Sequence, residues 1–160
     1  MTYTQPPHMT KEEIESLLKD AKYARFCSHN KDGTIHATPV WFRYENDQII
    51  VVTPEASRKA RNVRRDNRVT ILVDISGGEA GSRGVTTYGR AEVEPLNSPT
   101  ADAISWAEKY WPKDKAEQYL KAMRKLTSLV RITIKPERLA SFDYSKDEAY
   151  YRVIQEVWKK

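Results

Sequence analysis

Chemistry in this chain is concentrated in Thr53-Pro54-Glu55-Ala56-Ser57-Arg58-Lys59-Ala60-Arg61-Asn62. A β-branched run ends at Thr53, Pro54 turns the chain, and the pattern predicts a short helix over about residues 57–66. The start of a helix presents unpaired backbone N–H groups and a partial positive charge, which together attract anions. Ser57 can cap that helix or donate its hydroxyl to a phosphate. Arg58 adds a planar fork of donors and Lys59 a point charge, both suited to a phosphate group. The alternative is a solvated helix face beside Ala60 and Val63, because runs of charge mostly serve solvation.

The same segment locates the excess charge. The 160 residues include 27 Lys+Arg and 22 Asp+Glu, a formal +5, with a pI near 9.2. Residues 58–68 hold Arg58, Lys59, Arg61, Arg64, Arg65 and Arg68 against Asp66 alone, leaving 21 charges of each sign elsewhere. A nucleic-acid-binding barrel would spread its charge over a face and interleave it with aromatic rings. Neither pattern is present, so no nucleic-acid partner is expected.

Other reactive residue types carry weaker signals. His8, His29 and His36 lack metal-ligand spacing, and no metal site is expected. His36 could line a cleft, or simply face solvent from a strand. Cys27, the single cysteine, allows no intrachain disulfide and reads as a small core residue in a strand. No Ser-His-Asp pattern and no phosphate-cradling Gly-rich loop occurs, so no catalytic side chain is identified. Residues 1–10 lack the basic start and apolar stretch of a signal peptide, and no apolar run is long enough to cross a bilayer. A cytoplasmic protein with no membrane partner is the expectation.

These residues need elements to position them. Thr10 with Glu13 three residues later predicts a capped first helix carrying Ile14, Leu17 and Leu18. Period-two patterning predicts strands over residues 23–28, 34–44, 49–53, 69–75, 85–93 and 130–134, the last broken by Pro136, with residues 139–144 as a candidate continuation. Asp32-Gly33 marks a hairpin between the first two, and Pro39 puts the second at an edge or a bulge. Gly77, Gly78 and Gly81 mark a loop. Residues 97–125 read as helix interrupted by Pro112, and 147–158 as a final helix. Trp106, Tyr110 and Trp111 on the inserted helices either pack or roof a cleft. The sum is one small antiparallel barrel with α+β decoration, spanning residues 1–160 with a helical insertion at about 97–126.

The order His36-Ala37-Thr38-Pro39-Val40-Trp41-Phe42, a hairpin, Thr53, three residues, Ser57-Arg58-Lys59, then Asn62-Val63-Arg64-Arg65-Asp66-Asn67-Arg68-Val69 resembles the pyridoxamine 5'-phosphate oxidase-like, FMN-binding split-barrel family. The likeness is good over residues 10–95 and weaker through residues 129–138. It implies a mainly β (α+β) fold, a six-stranded antiparallel split β-barrel of Greek-key connectivity with flanking helices. It also implies a homodimer with a flavin in each of two interface clefts, and hydride or electron transfer to a small or planar substrate. By position, Arg58 and Lys59 would hold the FMN phosphate with help from Ser57. Val40 and Trp41 would lie along the isoalloxazine ring, Thr53 near the ring or ribityl chain, and Asn62 would play a positioning role. The founding enzyme's Arg-x-Val-Leu-Leu-Lys stretch and C-terminal Arg-x-His-x-Arg element have no counterpart here, which argues against vitamin B6 oxidation. A deazaflavin in place of FMN is the alternative, with Arg61, Arg64 and Arg65 extending the basic path. A flavin carrier without turnover and a haem site at His36 are further alternatives.

Overall fold

A computed structural model describes residues 6–75, 82–97 and 101–158. The Gly77, Gly78 and Gly81 loop lies outside the described residues. In chain order the elements are α1 (Lys11–Asp20), β1 (Tyr23–His29), β2 (Ile35–Trp41), β3 (Arg43–Glu45), β4 (Gln48–Pro54), α2 (Arg58–Arg65), β5 (Arg68–Ile75), β6 (Arg83–Pro95), α3 (Ala101–Glu108), α4 (Lys113–Leu126), β7 (Leu129–Asp143) and, after a short 3₁₀ turn, α5 (Glu148–Trp158). All strand pairs are antiparallel, in the order β2-β1-β5-β6-β7-β4-β3.

The two edge strands of this sheet are consecutive in the chain, separated only by Phe42. The chain therefore passes from one edge of the sheet to the other within a residue, and the sheet must curl until those edges meet. This is the split barrel, and it corrects the sequence expectation in one respect. The run over residues 34–44 is two strands, making seven in the sheet. The break is chemical: the Phe42 N–H donates to the Tyr110 hydroxyl at 2.6 Å, so it is not available to a neighbouring strand. That hydroxyl in turn lies 2.6 Å from the Phe42 carbonyl and 2.8 Å from the Lys22 carbonyl, and its single proton can serve one of them. Pro39 lies on the edge strand β2, where its missing N–H costs no ladder bond.

Pro136 does not end its strand. β7 continues to Asp143, and Glu137 is absorbed as a bulge where pairing slips between Tyr88 and Gly89. Gly89 makes this possible, since a Cβ there would lie 2.2 Å from the Lys135 carbonyl oxygen.

Alternation along the strands builds two apolar layers. Phe26, Val40, Phe42, Ile49, Val51, Ile71, Val73, Val85, Ile132 and Ile134 fill the barrel, closed by Leu17 and Leu18 of α1 and Ala60 and Val63 of α2. The other face of β4, Ile50 and Val52, joins Trp41 beneath Trp106, Ala107, Ala116 and Leu120 of the α3–α4 hairpin. β4 is apolar on both faces because both are covered. α1 begins with the capping box expected of Thr10 and Glu13, and the helical stretch is interrupted as expected, with Pro112 at the N-cap position of α4. Among the described residues, no helix is long and apolar enough to cross a membrane.

Candidate functional site

Barrel closure at Phe42 is incomplete further along. β3 pairs with β4 only over Gln48–Ile50, so residues 51–54 have no strand on that side. β2 pairs with β1 alone. Between these two open edges lies a cleft of about 260 Å³, lined by Pro39, Val40, Trp41, Val51, Val52, Thr53, Lys59, Trp106 and Tyr119. Backbone groups at an open strand edge seek partners, so this seam suits a flat ligand with polar atoms on its rim.

The turn from β4 into α2 closes one end of the seam. The Ser57 N–H donates to the Pro54 carbonyl at 3.0 Å, and the Ser57 hydroxyl caps α2 by accepting from the Ala60 N–H at 3.3 Å. Thr53, 5% exposed, donates its hydroxyl to Ser57 Oγ at 3.4 Å and accepts from Lys59 Nζ at 3.2 Å. The structure thus brings Thr53, Ser57 and Lys59 together. The Lys59 ammonium is half-buried with no carboxylate within 4 Å among the described residues, and burial pushes its pKa down. His36 stands nearby on β2. Its pKa is lowered first by burial, then by the Arg58 and Lys59 charges.

Arg58 is placed differently. Positions 58, 61, 62 and 65 share one face of α2, at i, i+3, i+4 and i+7. They line a second, larger cleft of about 600 Å³ with Asn30, Lys31 and Asp32 of the β1–β2 turn. Asn62, 3% exposed, donates to Ser28 Oγ at 3.1 Å and Asn30 Oδ1 at 3.0 Å, and accepts from Arg65 at 3.2 Å. Its amide nitrogen therefore ties α2 to β1 and the turn that follows it, and its oxygen holds Arg65 within the helix. Arg64 turns away to Glu55 at 2.7 Å, and Arg65 also binds the His29 carbonyl.

Val40 and Trp41 border the seam, but their side chains point elsewhere. Val40 lies in the barrel core. Trp41 stacks on Tyr110 with centroids 4.5 Å apart and planes 7° apart, with Trp106 and Tyr119 tilted against it. Trp106 is both packed and a seam-lining residue, while Trp111 stacks on Tyr119 outside the seam. The sequence did not single out Tyr119, because its spacing with Ala116, Leu120 and Met123 is that of a packing face. It gave no signal for Lys31, an ordinary turn lysine. Cys27 is a half-buried free thiol whose pKa is raised by burial.

A family model described as pyridoxamine 5'-phosphate oxidase matches residues 10–142. The chain belongs to the pyridoxamine 5'-phosphate oxidase-like family. Solved structures of similar shape include a conserved hypothetical protein from Mycobacterium tuberculosis, 25% identical, with a TM-score of 0.72 over 90% of this chain and 92% of that one. A FAD-binding protein from Mesorhizobium loti is 20% identical, with a TM-score of 0.60 over 84% and 93% of the two chains. An F420 reductase is 22% identical, with a TM-score of 0.60 over 82% and 98%. No curated protein sequence matches.

Proposed function

We propose that the chain binds FMN along the β2–β4 seam and acts as a flavin-dependent oxidoreductase on a small or planar substrate. The observation that carries this is Lys59, a half-buried ammonium whose partner here is the Thr53 hydroxyl. A phosphate at that point supplies the counter-charge the protein does not, and the residues present fit it. Ser57 and the first free N–H groups of α2 add donors, and Arg58 reinforces the positive field, while His36, its pKa lowered, stands beside it as a neutral imidazole. Thr53 faces the ribityl or ring end. Val40 and Trp41 contribute the open backbone edge of β2, and the aromatic layer behind Trp41 keeps that edge rigid. Asn62 holds α2 in place. Trp106 and Tyr119 limit water access from the helical side.

A bound flavin supplies the hydride chemistry. This chain's residues hold the phosphate, orient the ring and shape the space over its exposed face. Tyr23, Ile35 and Ile75 are 55%, 55% and 44% exposed on the barrel's outer surface. A second copy covering them is the homodimer we propose, with the seams at the interface.

Arg58→Ala combined with Lys59→Ala tests the assignment. Flavin retention is expected to be lost with the far-UV circular dichroism unchanged. Unchanged flavin occupancy in a folded double variant removes the phosphate assignment.

A further inference from the structure

The larger cleft on the outer face of α2 has a chemistry of its own. Lys31, Arg58, Arg61 and Arg65 line it with a single carboxylate, Asp32. Asp32 is already engaged, accepting from the Thr34 hydroxyl at 2.6 Å and the Thr34 N–H at 3.0 Å. Arg65 is held by the neutral His29 and Asn62 carbonyl oxygens, so its charge is uncompensated. Lys31, Arg58 and Arg61 make no ion pair within 4 Å among the described residues, whereas Arg64 and Arg68 on the same segment pair with Glu55 and Asp66. Of the segment's cations without a carboxylate, Lys59 lines the seam, and Arg58, Arg61 and Arg65 face this cleft.

The cleft is also pre-organised. Asn62 pins α2 to Ser28 and Asn30, and the β1–β2 turn is closed by Asn30 N–H to the Thr34 carbonyl at 2.8 Å and Gly33 N–H to the Asn30 carbonyl at 3.1 Å. Gly33 takes φ +85°, a conformation open to glycine, so the turn that presents Lys31 is fixed by its sequence. Rigid cations around a concave space lose little entropy on binding an anion. No aromatic ring lines the cleft, so it lacks the stacking surface a nucleobase would use. At about 600 Å³ it has the size of a small-molecule site.

We propose that this cleft is a second anion site, distinct from the seam, taking a small oligo-anion such as an oligophosphate on a ligand other than the flavin. Arg58, the first residue of α2, stands between the two sites. The proposal holds whether or not the seam binds flavin, because Lys31, Arg61 and Arg65 line this cleft and not the seam.

The test is calorimetric titration of the full-length protein with tripolyphosphate, with and without saturating FMN. Lys31→Ala with Arg61→Ala is compared with a control of equal charge loss, Arg64→Ala with Arg68→Ala. The first variant is expected to bind tripolyphosphate at least tenfold more weakly, with FMN retention unchanged. The control, and the protein with FMN present, are expected to stay within about threefold of the starting affinity. Three results overturn the proposal: no tripolyphosphate binding by the parent protein, equal weakening in the control, or displacement of tripolyphosphate by FMN. Intact tripolyphosphate binding with no FMN binding supports it and refutes the seam assignment alone.

Discussion

Lys59→Met separates a ligand-binding lysine from a fold-holding one, because the two roles give different signs. Methionine keeps a long unbranched stem and removes the ammonium. In the ligand-free protein the loss is the hydrogen bond to Thr53 Oγ1 at 3.2 Å, a contact with a net value of about 0.5–1.5 kcal/mol. Thr53 retains Ser57 as partner at 3.4 Å. The gain is relief of burying a charge, which the lowered pKa of Lys59 registers. The two nearly cancel, so ligand-free stability should move by no more than about 1 kcal/mol, roughly 2–4 °C in Tm for a domain near this size. Binding has no such compensation. A charge-assisted hydrogen bond to a phosphate contributes about 1.5–3 kcal/mol, or roughly 10- to 150-fold in Kd. Quenching of FMN fluorescence measures the Kd, and differential scanning fluorimetry without flavin measures the Tm. FMN affinity within threefold of the parent protein, or a ligand-free Tm lowered by more than about 10 °C, refutes the reasoning.

Four further outcomes follow from particular contacts. Tyr110→Phe strands the Phe42 N–H and should cost about 1–3 kcal/mol in urea unfolding; a change under about 0.5 kcal/mol contradicts the proposed closure of the barrel. Asn62→Ala breaks two hydrogen bonds from α2 to β1 and its turn and one within α2, and should cost about 2–4 kcal/mol, with FMN affinity falling only as α2 loosens. Gly89→Ala drives a Cβ into the Lys135 carbonyl and should lower the Tm by more than any exposed-surface substitution. Lys109 Nζ has no hydrogen-bond partner among the described residues and sits 4.3 Å from the Phe42 ring centroid, and burial, opposed in part by Asp20, lowers its pKa from 10.5 to about 8. The unfolded chain therefore binds more protons than the folded one between about pH 8 and 10.5, so this group's contribution to stability rises with pH across that window and is flat below it. Lys109→Met should accordingly stabilise the protein most near pH 7, with its advantage shrinking toward pH 10.5 in thermal melts; a constant advantage would show that the lysine's charge is not the cause.

Local chemistry was legible where it is decided locally. Thr10 and Glu13 announce α1 because the cap is built from residues three apart. Ser57 announces α2 for the same reason, and the β-branched run of β4, apolar on both faces, anticipates cover on both sides. What the sequence concealed depends on distant partners. Nothing between Thr34 and Tyr44 predicts a break at Phe42, because the group responsible, Tyr110, is 68 positions away. Pro136 looks like a terminator until Gly89 is found opposite it. In the site, the pair Arg58-Lys59 reads as one phosphate clamp, yet a helix turns neighbouring residues by about 100°, and the two line different clefts. The periodicity of α2 contained that separation, but without Lys31 and Asn30 across from it there was no second cleft to see.

The central claim is that the β2–β4 seam holds a flavin by its phosphate. Parallel titration of the flavin-free protein with FMN, riboflavin and a deazaflavin, followed by fluorescence, tests it most directly. FMN is predicted to bind and riboflavin, which lacks the phosphate, to bind at least tenfold more weakly, with Lys59→Met erasing most of that difference. Equal binding of FMN and riboflavin, or binding of none of the three, contradicts it.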